Sequence, residues 1–239
     1  MIKKIILLGL LTILLIGVSG CMAKQKPEVD VKAEVEKYLK DKYNEDFTVT
    51  GGGTESWNSP DTEIYAKPEK FPEERVMVRR GKKTGGMIDN YTSILKKSEI
   101  DKIMTDIVSK VYPESKVWYD VAKSPEASAG PDMSVEEYLE YVSKYSRVSL
   151  TICISDSEYE TNKDEKLEEL RKNFEEKQYK GNFKILYILD GKWDLINEDN
   201  KEDICSYHNG WNSWVSLVGF FIMDDSYHFR SVEWEDMSF

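Results

Sequence analysis

Hydrophobic side chains recur at three- and four-residue intervals through Val31, Val35, Tyr38, Leu39 and Tyr43, a spacing that predicts a first helix over 29–44. From Phe47 to Thr50 the period shortens to two, the mark of a strand, and Gly51-Gly52-Gly53 stops it. Two more strands are expected at 63–66 and 74–79, the latter alternating Val76 and Val78 with charged neighbours. The intervening loops, SWNSPD and KPEKFPEE, are rich in proline and turn formers. A second helix is expected to begin at Ser98 and Asp101, which stand in capping-box register. It would bury Ile100, Ile103, Met104, Ile107, Val108 and Val111 and end before Pro113. Residues 116–122 read as a further strand.

The stretch 124–132, SPEASAGPD, has small residues, two prolines and no period, and marks a boundary between halves at 31–123 and 133–239. The second half opens on another capping box, Ser134 to Glu137, followed by a helix with Val135, Tyr138, Leu139, Val142 and Tyr145 on one stripe. A strand is expected at 147–155. Asn162 and Glu165 stand where they could cap a helix whose narrow apolar face is Leu167, Leu170 and Phe174. Residues 183–189 and 214–223 read as central strands, and 227–234 as the return strand of a hairpin after Asp224-Asp225-Ser226. Each half thus has helices on one side of a mostly antiparallel sheet, an α+β class. The connection from 147 to 189 is also long enough for a parallel crossover.

The first residues change the picture of where this body resides. Lys3 and Lys4 precede an almost purely apolar run from Ile5 to Val18. About fourteen residues suits a secretory signal, whereas a spanning helix needs about twenty. The run ends in Val18-Ser19-Gly20-Cys21, which resembles the bacterial lipobox. The resemblance implies a signal peptide over 1–20, diacylglycerol on Cys21, and a protein anchored at the extracytoplasmic face of the membrane. Residues 21–30 then form a short polar tether. A second resemblance rests on Tyr38-Leu39-Lys40-Asp41-Lys42-Tyr43 followed by Phe47, and on Asp89-Asn90-Tyr91. These segments are similar to small lipoproteins of Gram-positive cell envelopes, in which a helix ending in Lys-Tyr leads into a first strand. That likeness implies no activity.

Composition narrows the function classes. The chain of 239 residues has 33 basic and 44 acidic side chains, a net charge of -11. Removal of residues 1–20 deletes two lysines and no acids, giving -13. Such a balance argues against a nucleic-acid partner, because a duplex recruits basic surfaces. It suggests a body that stands off an anionic membrane while its acyl chains hold it there.

Candidate chemistry is sparse. With Cys21 acylated, the remaining thiols are Cys153 and Cys205. They either form a disulfide, worth roughly 4 kcal/mol for a loop of about fifty residues, or remain reduced, with Cys153 a small buried hydrophobe between Ile152 and Ile154. Cys205, His208, His228 and Asp224 or Asp225 are zinc-type donors, but their spacing matches no closed-site pattern. Glu198-Asp199 with Glu202-Asp203 lacks the alternating ligands and glycine of a calcium loop. No metal or cofactor is expected. Only His208 and His228 are available to a hydrolytic triad, and no G-x-S-x-G elbow is present. Trp211, after a turn glycine and among short polar residues, is a possible ligand contact, while Trp214 and Trp234 read as core. The expected function is therefore a non-enzymatic binding or interaction module, possible partners being an envelope or secreted protein, including a toxin met by an immunity-type lipoprotein. The alternatives are a solute receptor for a transporter and an envelope hydrolase.

Overall fold

The computed structural model describes residues 30–53, 58–156, 162–189, 191–201, 204, 211–230 and 233–237, with the side chains of Trp211 and Asn212 outside that set. The first helix, α1 (Val31–Tyr43), starts where Asp30 accepts the backbone N–H groups of Lys32 and Ala33 at 3.1 and 3.3 Å. It ends where Asn44 adopts the left-handed conformation at φ 53°. Four strands follow, β1 (Phe47–Gly52), β2 (Asp61–Pro68), β3 (Val76–Gly81) and β4 (Met87–Asp89), paired antiparallel in that order. Strict alternation on β2 and β3 buries Ile64, Ala66, Val76 and Val78 beneath Val35 and Leu39 of α1.

The second helix, α2 (Tyr91–Val108), begins well before the expected start, so Ser98 and Asp101 lie inside it. Tyr91, Thr92, Ser93 and Ile94 are all buried, and such a turn has no amphipathic stripe to reveal it. Asp101 accepts Lys97 Nζ at 2.8 Å and the Tyr119 backbone N–H at 2.6 Å instead of capping.

The second sheet runs β5 (Lys116–Tyr119), β6 (Val148–Ser155), β7 (Gly181–Ile188), β8 (Val215–Ile222) and β9 (Glu233–Asp236). All its neighbours are antiparallel except β6 and β7, which pair in parallel from Val148↔Gly181 to Ser155↔Ile188. The crossover between them carries α4 (Lys163–Glu176), which buries Leu167, Leu170 and Phe174 as the spacing predicts. Asn162, however, makes no capping hydrogen bond. The capping box of α3 (Val135–Tyr145) is complete, with Ser134 and Glu137 bonded reciprocally at 3.1 and 2.7 Å. The fold is α+β.

Helices α2, α3 and α4 lie on one side of this second sheet, and its other face is covered as well. Val148, Leu150, Ile152 and Ile154 face α2, α3 and α4, whereas Cys153, Leu186, Ile188 and Val218 face a smaller cluster closed by Ile196 and Ile204. The sheets do not divide at 124–132. Strand β5 precedes that stretch yet belongs to the second sheet, and α2 contributes Tyr91 and Ile94 to one core and Ile100, Met104 and Ile107 to the other. Within the expected return strand at 227–234, the described residues show one bridge, Met223↔Phe229, and the start of β9, which pairs antiparallel with β8 at Glu233 and Trp234.

Gly219 lies where strand β8 passes beneath two rings. A Cβ there would stand 2.5 Å from the Phe221 ring and 2.7 Å from Trp234 Cε3. Gly219→Ala should therefore destabilise by about 1–3 kcal/mol through overpacking, measured as a lower urea midpoint. An unchanged midpoint would show that the rings yield freely.

Candidate functional site

The Lys-Tyr pair and the Asp-Asn-Tyr element meet in space. Helix α1 brings Tyr38, Lys42 and Tyr43 to one side, and the β4–α2 junction brings Asp89 to the other. The Asp89 carboxylate is buried, with 1% of the residue exposed. It accepts Tyr38 Oη at 2.7 Å, Lys42 Nζ at 2.7 Å, Tyr43 Oη at 2.5 Å and the Tyr91 backbone N–H at 2.9 Å. A buried carboxylate is tolerated when such donors replace its lost water. Burial and the adjacent Asp89 carboxylate push both the Tyr38 and Tyr43 phenols well above the usual tyrosine range, so both stay protonated and donate.

Asn90 and Tyr91 extend the junction outward. Asn90 accepts the Met77 backbone N–H at 2.8 Å and donates to the Ala122 carbonyl at 2.6 Å, clipping the first sheet to the segment after β5. Tyr91 donates to Glu45 at 2.6 Å, and its ring meets Tyr43 and Phe47 edge-on at 4.8 and 4.9 Å.

A second polar chain lies beyond it. Ser93 Oγ and Tyr119 Oη are 2.7 Å apart, Tyr119 Oη and Tyr138 Oη 3.2 Å, and Tyr138 donates to both Glu126 oxygens at 2.8 and 3.0 Å. Glu126 also bridges to Asp89 through the backbone, its N–H reaching the Asp89 carbonyl at 2.8 Å. The stretch expected as a linker is thus pinned between the cores. Burial pushes the Glu126 carboxyl up to about 7, with the Asp89 charge adding to the rise and the Tyr138 bond and Lys42 opposing it.

Two shallow depressions open beside this network. One, of about 300 Å³, is lined by Glu34, Lys37, Tyr38, Asp41, Gly85 and Met87. The other, of about 460 Å³, is lined by Tyr43, Asn44, Glu45, Glu69 and Lys70.

Of the residues singled out from sequence, Cys21, Cys205 and His208 lie outside the described residues, and so does the side chain of Trp211, which opens the short helix α5 (Trp211–Trp214). Cys153 is fully buried beside Trp118 and Leu186, in the small cluster that also holds Ile204. Trp214 packs on that cluster and Trp234 on the larger core, where its Nε1 donates to Asp164 at 2.9 Å. The carboxylates of the zinc-type set are otherwise engaged. Asp224 accepts the backbone N–H groups of Ser226 and His228 at 2.8 and 3.0 Å, and Asp225 pairs with Lys180 at 3.0 Å. Glu198 is held by Lys97 at 3.0 Å and Lys201 at 2.6 Å. Among the described residues no group of three or more His, Cys, Asp or Glu gathers as a metal site, and no helix is long and apolar enough to cross a membrane.

Sequence marks Asp89 only within the Asp89-Asn90-Tyr91 motif and gives Glu126 no role. The available signal for Asp89 was an acid two residues ahead of a helix, between Ile88 and Asn90; for Glu126, inside a turn-rich run, there was none.

No family model matches the chain, and no curated protein matches it. Among solved structures it resembles a DUF5037 family protein from Ruminococcus gnavus, with 13% identity and a TM-score of 0.44, over 84% of this chain and 95% of that one. So loose a likeness carries no argument about function.

Proposed function

We propose that this chain is an extracytoplasmic lipoprotein, held to the membrane through Cys21, whose α+β body is a binding module for a protein or ligand of the cell envelope. The observation that carries this reading is the order of features at the N-terminus. Lys3 and Lys4, an apolar run, Val18-Ser19-Gly20-Cys21 and a polar connector lead directly to Asp30, the cap of the first helix. Diacylglycerol on Cys21 would add two acyl chains, which anchor stably where one chain is marginal. Binding rather than turnover is supported by the Asp89–Glu126 network, whose hydroxyl, amine and carboxylate groups are committed to one another. Such a saturated network suits a rigid scaffold that presents a fixed surface.

Fractionation of cells that express Cys21→Ala tests the anchor. The variant is expected to leave the membrane fraction, and unchanged membrane association would overturn lipidation. Turnover of an envelope polymer by the purified chain would overturn the binding-module reading.

A further inference from the structure

The first sheet buries one face beneath α1 and the start of α2, and among the described residues no core cluster covers the other. Paired residues in register share a face, so the outward rows are Asp61–Gly81, Glu63–Arg79–Ile88, Tyr65–Met77 and Thr48–Lys67. Tyr65, Met77, Arg79 and Ile88 are partly buried, Thr48, Glu63 and Lys67 exposed, and none of the apolar ones joins a core cluster. Arg75, at the foot of β3, lays its guanidinium 3.5 Å from the Tyr65 ring centroid, flat on the same face. Arg79 pairs with Glu63 at 3.4 Å. In a chain of net charge -11, this face thus shows three cations, Lys67 and Arg79 in its rows and Arg75 beside Tyr65, against two carboxylates, Glu63 and Asp61; Glu73 and Glu74 precede the strand. Tyr65, Met77 and Ile88 lie among them.

The tether enters on the opposite, helix-covered side of the sheet, at the edge where this face ends. Glu34, in the first turn of α1, reaches Arg80 at 3.0 Å, and Arg80 is the chain neighbour of Arg79. The nine residues between Cys21 and the start of α1 span at most about 30 Å when extended. That exceeds the roughly 10 Å between packed layers, so a lipid at Cys21 can pass around the sheet edge to the level of the open face.

We propose that this face lies on the anionic bilayer, with Lys67, Arg75 and Arg79 against phospholipid headgroups and Tyr65, Met77 and Ile88 at the interfacial level. The proposal rests on the lipoprotein reading and sharpens it. The acidic remainder of the body is repelled by the surface, so charge favours the approach of this face. Each cation near an anionic surface is worth roughly a fivefold gain in membrane affinity, and a tyrosine ring suits the interface.

The test uses the lipidated full chain in vesicles of phosphatidylcholine alone or with phosphatidylglycerol. A water-soluble amine reagent reports on Lys67, with the exposed Lys172 of α4 as internal control. Lys67 is expected to react several-fold more slowly on the phosphatidylglycerol vesicles alone, to recover at 1 M salt, where screening reaches about 3 Å, and to be unprotected in Arg75→Glu/Arg79→Glu. Lys172 should react equally throughout. If the chain floats with both vesicles and Lys67 reacts at one rate on each, the orientation is overturned while the anchor stands. Failure to float with either vesicle overturns both readings. The salt arm uses the unmutated chain and decides the matter should the double variant misfold.

Discussion

Replacing Asp89 by alanine is expected to destabilise the protein by about 3–5 kcal/mol, the cost of leaving one partner of a buried ion pair alone. The carboxylate serves four donors at once, and its removal strands the Lys42 ammonium and two phenols in a region with little water. For a protein whose total stability is about 5–15 kcal/mol, this is a large share. Lys42→Met should cost less, because Tyr38, Tyr43 and the Tyr91 backbone still satisfy Asp89 and the lysine side chain retains 22% exposure. Urea unfolding of the two single variants and the double variant measures the coupling. A loss below about 1 kcal/mol for Asp89→Ala would mean that water replaces the carboxylate, and the network would not be the clasp described here.

Stability should fall as the pH rises through neutrality, and Glu126 should be the main cause. Its carboxyl titrates at about 7 in the folded protein against 4.5 as the unperturbed value. Between those values the folded state holds a proton that the unfolded chain has released. The proton-linked stabilisation is thus fully present below the unfolded value and is lost as pH climbs through about 7. Because Glu126 is only partly buried, the difference between pH 5 and pH 8 should be on the order of 2 kcal/mol. Glu126→Gln keeps an acceptor for Tyr138 without the charge. It should flatten the slope and exceed the parent protein in stability at pH 8. Equal urea midpoints for parent and variant at pH 8 would assign the titration elsewhere. Asp120 is raised by burial as well, so it acts in the same sense, but it remains in the variant and cancels in the comparison.

The helices were legible wherever an apolar stripe met a polar one. Leu167, Leu170 and Phe174 announced α4, and Ser134 with Glu137 announced the start of α3. The α2 start was hidden because its first turn is buried on all sides between two cores. The parallel pairing of β6 and β7 was open to sequence only as an alternative, since an apolar strand reads alike in either direction. At the candidate site, Lys42-Tyr43 and Asp89-Asn90-Tyr91 were visible as motifs, but their contact was not. They are separated by more than forty residues, and no local period reports on so distant a partner.

Sequence by itself determined the α+β class, most element positions and the N-terminal pattern that points to a lipid anchor, because these depend on local periodicity, capping and hydrophobic run length. Tertiary structure alone decided that α2 serves two cores, that the apparent linker at 124–132 is pinned at Glu126, and that Asp89 gathers four donors. It also placed Lys67, Arg75 and Arg79 together on one open face of an acidic protein. Those outcomes depend on strand register and chain crossing, which set distances between residues far apart in sequence.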